Sequence, residues 1–169
     1  MKASLVAALL LVTAASGCGA SRQPAAPSPL TQASVESTRP FQTNVLDEAR
    51  KNEAYRRILF TGARSQLALM TIPPGGDIGL ESHAHVEQVI FIASGQGKAI
   101  VNGADTPIGA GHVLVATPNA RHNIVNTGTE PLRIYTVYTP PNHLDGRLHP
   151  ARADAENDKA DEAFGATVR

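Results

Sequence analysis

Histidine is the residue type in this sequence that is best placed to do chemistry. All six histidines fall between residues 83 and 149 of the 169-residue chain. His83 and His85 stand at alternate positions, Gln88 follows shortly after them, and His122 lies further along the chain. Imidazole nitrogens and carboxylate or amide oxygens are ligands with which proteins hold divalent transition metals. The sequence therefore predicts a metal site built around these histidines.

The local spacing indicates how these side chains could meet. Alternate residues of a β-strand point to the same face of the sheet, so a strand through this segment would place His83 and His85 together. Glu81 and Glu87 have the same parity, whereas Gln88 has the other parity and needs a β-bulge or bend to join them. The rest of the fold must bring the more distant ligand to that face.

Composition and charge exclude some classes of partner. The formal net charge is zero, so the chain lacks the basic surplus typical of nucleic-acid-binding proteins. Aromatic residues make up 4% of the sequence and tryptophan is absent, which argues against surfaces that stack nucleic-acid bases. The 14 glycines and 12 prolines indicate frequent turns, as in all-β folds. The length favours one domain.

The first 17 residues are predicted to be a signal peptide. Lys2 supplies the positive charge, an apolar run covers residues 5–13, and small residues lead to Cys18, the one cysteine of the sequence. Residues 15–18 (Ala-Ser-Gly-Cys) resemble a bacterial lipobox, which implies cleavage before Cys18 and acylation of that residue. More than one acyl chain would anchor the protein stably to a membrane of the bacterial cell envelope. The alternative is an ordinary secreted protein with an unmodified Cys18.

The rest of the chain divides into three parts. Residues 18–40 are rich in Ala, Ser, Pro and Thr, which predicts a disordered tether. Residues 41–150 form the folded domain, which begins with a short helix capped by Asn44. Strands separated by turn signals predict an all-β sandwich or small barrel; they cover residues 57–60, 66–72, 89–93, 98–101, 113–116, 122–125 and 132–138. Residues 151–169 are an acidic, Ala-rich tail, expected as a short helix or frayed end with a solvated face.

The first histidine segment has a spacing that is typical of one protein family. His83-x-His85, Gln88 and Gly95 resemble the first motif of the cupins, which reads His-x-His, a few residues, Glu, six residues, Gly. Six residues separate Gln88 from Gly95 in this sequence. Gln88 stands where most cupins have Glu.

The third histidine lies in a second motif. The cupin pattern reads Gly, five residues, Pro-x-Gly, two residues, His, three residues, Asn. Here Gly111 is followed by residues 117–119 (Thr-Pro-Asn), His122 and Asn126 at the same intervals. Asn119 replaces the motif glycine and tolerates the left-handed conformation that a glycine would adopt there. The resemblance covers about residues 44–150 and implies a single-domain all-β cupin, a double-stranded β-helix or jelly-roll barrel with a short N-terminal helix.

The resemblance also implies a ligand set. One divalent metal would be held by His83, His85, Gln88 and His122, with Glu87 as the alternative to Gln88. These ligands suit manganese, zinc, iron and nickel alike, so the identity of the metal stays open. Cupins are often dimers, so a homodimer is expected.

The remaining polar residues receive weaker predictions. Glu81 is interpreted chiefly as a partly buried ion-pair residue near the metal ligands. His112 is expected at the surface. His143 and His149 follow the last predicted strand, where they could close over the barrel mouth, contact a second subunit or lie on an ordered surface loop.

Three functions remain open from the sequence. The first is a metal-dependent enzyme acting on a small polar or sugar-type substrate, because the chain is similar to a subgroup of small bacterial cupins often labelled mannose-6-phosphate isomerase-like. The alternative is a non-catalytic module that binds a sugar, a metal or another small ligand. A metal-free cupin that serves as an interaction domain is the third.

Overall fold

The computed structural model describes residues 40–169. The predicted signal peptide, the lipidation site Cys18 and all but the last residue of the predicted tether lie outside the described residues. The described part forms nine strands and three helices: α1 (Val45–Lys51), β1 (Arg56–Thr61), β2 (Gln66–Ile72), β3 (Glu87–Ser94), β4 (Gln96–Val101), β5 (Ala104–Gly109), β6 (Val113–Ala116), β7 (His122–Asn126), β8 (Leu132–Thr139), β9 (Leu148–His149), α2 (Arg152–Asn157) and α3 (Lys159–Gly165). No helix in residues 40–169 is long and apolar enough to cross a membrane.

The strands form two antiparallel sheets. One sheet has six strands in the order β6-β3-β8-β2-β1-β9, and the other has three in the order β5-β4-β7. Isolated bridges join Asp77 to Val125 and Glu81 to His122, so the segment before β3 runs along β7. The all-β prediction is confirmed. The seven predicted strands correspond to β1–β4 and β6–β8, with each boundary within two residues.

The hydrophobic core lies between the two sheets. Along β8 every second side chain is buried, as the period of two in a strand requires. Burial of a large aliphatic side chain contributes roughly 1.5–3 kcal/mol relative to exposure. The main cluster draws its aliphatic side chains from both sheets, including Ile72, Ile90, Ile92, Ile124, Leu132 and Ile134.

Two motif positions are explained by the backbone. Asn119, which replaces the motif glycine, has a φ of 66°, so the left-handed conformation expected there is confirmed. Gly95 has a φ of 90°, and a Cβ at this position would lie 2.8 Å from the carbonyl oxygen of Pro131 and from the Cα of Leu132. The chain can therefore turn from β3 into β4 at Gly95 only without a side chain.

The sequence prediction missed two strands. β5 contains Asp105 and Pro107, residue types that are depleted in strands. It lies at the edge of the three-stranded sheet, where a proline is tolerated. β9 has only two residues, which is too short to produce a pattern.

The predictions for the two ends of the described chain had different outcomes. The cap of α1 is confirmed, because the Asn44 side chain accepts hydrogen bonds from the amides of Leu46 (3.2 Å) and Asp47 (3.3 Å). The solvated acidic face predicted for residues 151–169 was wrong for Asp161. That residue lies in α3 and is only 3% exposed, because α3 packs against the barrel.

Candidate metal centre

The polar residues of the two motifs meet at one end of the barrel. His122 is the first residue of β7 and Gln88 the second residue of β3, and both are 1% exposed. Glu81 pairs with His122 through a backbone bridge. His83 lies in the loop between Glu81 and Gln88. Its carbonyl oxygen accepts a hydrogen bond of 2.7 Å from the amide of Asn119. Glu81, His83, Gln88 and His122 are called the His83 cluster below.

The strand expected through His83 and His85 is not present. Residues 82–86 are irregular, so the alternation of a strand does not apply there. The His83 side chain is 18% exposed and joins the cluster, whereas His85 is exposed and lies on the wall of a neighbouring cleft. Glu87 is also exposed, so Gln88 is the one of the two neighbours that reaches the cluster. The ligand role of His85 stays a prediction.

The distances within the His83 cluster suit a single metal ion. Oε1 of Gln88 lies 2.9 Å from Nε2 of His122. Oε2 of Glu81 lies 3.5 Å from Nε2 of His83 and 3.9 Å from Nε2 of His122. Ligand atoms bonded to one ion at roughly 2.1 Å are separated by about 3 to 4 Å. The arrangement therefore needs little movement to hold an ion.

The His122 ring is oriented as a metal-binding histidine would be. Nδ1 lies 3.0 Å from the carbonyl oxygen of Ala120, and Nε2 faces the amide oxygen of Gln88. Both oxygens are acceptors, but a neutral imidazole carries one N–H and so satisfies only one of them. Donation from Nδ1 to the carbonyl oxygen of Ala120 leaves the lone pair of Nε2 facing the Gln88 side chain, where a bound cation or the amide nitrogen of a rotated Gln88 side chain completes the contact. Donation from Nδ1 to a backbone carbonyl is the usual arrangement for a metal-binding histidine.

The other two members of the cluster agree with this interpretation. Nε2 of His83 is buried, and its 3.5 Å contact with Oε2 of Glu81 is longer than an ordinary hydrogen bond. Burial opposes ionisation of Glu81, but the adjacent His83 and His122 rings and Arg56 outweigh it, so the pKa of Glu81 is lowered. An ionised carboxylate beside two imidazole nitrogens is a donor set that divalent transition metals accept. The residues present therefore fit a metal.

A cleft of about 600 Å³ opens beside the His83 cluster. Its lining comes from residues 82–86, from the Arg56 and residue 142–143 region, and from α2, α3 and the C-terminal end. A ligand in this cleft would contact His83 directly, so the cleft is the candidate ligand site.

A second polar cluster borders the same cleft, and no pattern in the sequence predicted it. Arg56, His143 and Asp161 are each less than 9% exposed. Nδ1 of His143 donates to Asp161 (2.7 Å), while its Nε2 accepts from Arg56 (3.3 Å). Burial lowers the pKa of His143 more than Asp161 raises it, which keeps the ring neutral. These three residues are called the Asp161 cluster below.

The histidines outside the two motifs differ in how exposed they are. His112 is exposed, which confirms the prediction. His143 and His149 are 7% and 3% exposed, so the alternative of a surface loop was wrong for both. His149 lies 3.0 Å from Asp158, which precedes α3. The acidic residues that pair with these two histidine rings come from the C-terminal tail. A local sequence pattern cannot reveal pairs between residues so far apart in the chain.

Comparison with known proteins identifies the family. Residues 68–138 match a cupin domain. The crystal structure of BH2720 from Bacillus halodurans is 35% identical to the chain, with a TM-score of 0.69, and the match covers 70% of this chain and 94% of that one. The chain therefore belongs to the cupins.

Two further relatives extend the comparison. The uncharacterized protein YrkC of Bacillus subtilis is 34% identical over 123 residues, which are 69% of this chain and 66% of that protein. A protein of Thermotoga maritima described as an oxalate-binding protein is 37% identical over 70 residues, 41% of this chain and 58% of that protein.

Proposed function

We propose that this chain binds one divalent transition metal through His83, Gln88 and His122, with Glu81 as a further ligand. The observation that carries the proposal is the convergence of Glu81, His83 and His122, whose ligand atoms all lie within 4.8 Å of one another, with Oε1 of Gln88 2.9 Å from Nε2 of His122. When bound, such a metal acts as a Lewis acid and coordinates an oxygen of a small ligand. A divalent ion held by three neutral side chains and one carboxylate keeps a net positive charge, which favours an anionic ligand.

A short carboxylic acid such as oxalate is the proposed ligand class. The cleft beside His83 has a volume within the range of small-molecule sites. The likeness to a protein described as oxalate-binding supports the same class.

The purified chain, grown with manganese, iron, nickel and zinc supplied, tests the metal. Elemental analysis is expected to find about one transition-metal ion per chain, as for a single closed site. A chain without stoichiometric metal after such growth ends the metal proposal.

Calorimetric titration with oxalate, and with a sugar phosphate for comparison, tests the ligand. Oxalate is expected to bind the metal-loaded chain and not the chain stripped of metal. Equal binding by both forms would contradict the proposal. Product analysis of the same mixtures separates a metal-dependent enzyme, including the isomerase suggested by the sequence, from a non-catalytic binding protein.

We further propose that Cys18 is acylated and that the domain is held at a membrane of the cell envelope, because residues 15–18 resemble a lipobox. Cys18→Ser should move the protein from the membrane to the soluble fraction. An unchanged distribution would contradict acylation. The homodimer expected from the family is tested by light scattering, where a monomer would contradict it.

A further inference from the structure

The cleft beside the His83 cluster is completed by a segment outside the matched cupin domain. That domain ends at residue 138. Much of the lining of this cleft comes from the C-terminal part of the chain and includes Lys159, Gly165 and Val168. The shape of the cleft therefore depends on residues that the cupin motifs do not contain.

Asp161 is the main polar attachment of this wall to the barrel. Its carboxylate accepts hydrogen bonds of 2.7 Å from the amide of Leu144 and from Nδ1 of His143. Nη2 of Arg56 lies 3.4 Å from the same carboxylate. Since a buried carboxylate is costly without such donors, its position indicates that α3 is held in one place.

Further contacts fix the wall on either side of Asp161. Arg152 at the start of α2 forms an ion pair with Asp77, in the segment that runs along β7. Val168 packs against the buried cluster that contains Val86 and Tyr138. A Cβ on Gly165 would lie only 3.1 Å from the carbonyl oxygen of Asn142, so a glycine lets the end of α3 approach the barrel closely.

We propose that residues 152–169 are a specificity wall, positioned by Asp161, which limits the size of the molecules that reach the His83 cluster. The functional meaning of the wall rests on the proposed metal and ligand site. Its position and its effect on access can be measured without any metal.

The test uses a thiol placed in the cleft. Ala84 is exposed and lines the cleft, so Ala84→Cys in a Cys18→Ser chain reports access. The rates of alkylation by small iodoacetamide and by bulky fluorescein maleimide are compared. Asp161→Asn is expected to raise the bulky-reagent rate about tenfold, which corresponds to about 1.4 kcal/mol, with little effect on iodoacetamide.

The matched control is Asp154→Asn, which removes the same charge from an exposed position at the start of α2, where an asparagine can still accept the hydrogen bond from the amide of Ala151. It should leave both rates unchanged. Val168→Ala, near the chain end, provides a second variant that spares the buried charges and should also favour the bulky reagent. The proposal is contradicted if the bulky reagent reacts at an unchanged rate in both Asp161→Asn and Val168→Ala. It is also contradicted if these variants accelerate the two reagents equally.

A second measurement connects the wall to the proposed function. In the metal-loaded chain, Asp161→Asn should speed removal of the metal by the large chelator EDTA about tenfold, while Asp154→Asn should not. This tenfold change corresponds to about 1.4 kcal/mol. If the purified chain holds no metal, the proposed function fails, whereas the alkylation result still decides whether the wall exists. Equal EDTA rates in a metal-loaded chain would show that the wall does not limit access.

Discussion

The His83 cluster and the Asp161 cluster contain similar residues but differ in how their polar atoms are satisfied. They lie on either side of Tyr138, whose ring makes edge contacts with His83 (6.2 Å between centroids) and His143 (4.9 Å). In the Asp161 cluster each donor faces an acceptor. In the His83 cluster both ring nitrogens of His122 face side-chain or backbone oxygens, and the buried Nε2 of His83 has a contact with Glu81 that, at 3.5 Å, is long for a hydrogen bond.

This difference separates a structural role from a binding role. A buried network whose donors and acceptors match holds its elements in one arrangement. A buried group that lacks its partner is costly, and it persists where a ligand supplies that partner. Histidines and acids at one end of a barrel are therefore not enough to define a metal site; the pairing of their atoms decides which cluster binds.

The largest expected effect is the loss of metal binding in His122→Ala. Removing a buried ligand should weaken metal affinity by roughly a thousandfold, beyond the 10–100-fold typical of residues that only orient a ligand. Metal affinity is measured by competition with a chromogenic chelator. His112→Ala, at an exposed histidine, should retain the affinity of the unmutated chain, and similar losses in both variants would remove the distinction between the clusters.

Asp161→Asn should lower the stability of the fold and have little effect on the equilibrium affinity for metal. Breaking a buried ion pair leaves Arg56 without its carboxylate, which should lower the free energy of unfolding by about 3 kcal/mol. Chemical denaturation measures this change, with Asp154→Asn as the exposed control. A loss of equilibrium metal affinity as large as that of His122→Ala would contradict the structural role of Asp161.

Gln88→Glu tests the ligand that departs from the cupin motif. A carboxylate beside His122 should strengthen metal binding about tenfold, because it adds a negative charge next to the cation. Glu87→Gln changes the exposed neighbour and should leave the affinity unchanged. The opposite result, an effect at Glu87 alone, would make Glu87 the ligand.

Acid should weaken the Asp161 cluster through His143. Burial keeps the pKa of His143 below its ordinary value of 6.5, so the unfolded chain takes up this proton more readily than the folded chain. Stability is therefore retained above about pH 6.5 and lost as the pH falls below it, by at most about 1.4 kcal/mol per pH unit. Denaturation between pH 5 and 8 should show a shallower dependence for His143→Gln; an identical dependence would contradict this assignment.

His85→Ala should have the smallest effect. His85 is exposed and lies on the cleft wall, so its removal should change metal affinity by less than about twofold, as for most exposed substitutions. The chelator competition used for His122→Ala measures it. A loss comparable to that of His122→Ala would establish His85 as a ligand, as the sequence predicted.

Much of the fold could be predicted because it depends on local chemistry. Alternating apolar residues between turn signals located seven strands, and Asn44 and Asn119 adopt the cap and left-handed turn expected of them. β5 was missed because Pro107 contradicts a strand locally, whereas its place at a sheet edge permits it. The parity argument for His83 failed because residues 82–86 leave the strand geometry on which it depended.

The sequence alone determined the all-β domain and the two motifs that supply His83, Gln88 and His122, because these follow from residue type and spacing. Only the tertiary structure decided that Glu81 joins them and that Asp161 buries itself against Arg56. Burial and the pairing of charges depend on contacts between residues far apart in the chain, so no local pattern records them. For the same reason, only the folded chain shows that its acidic tail forms a wall of the cleft.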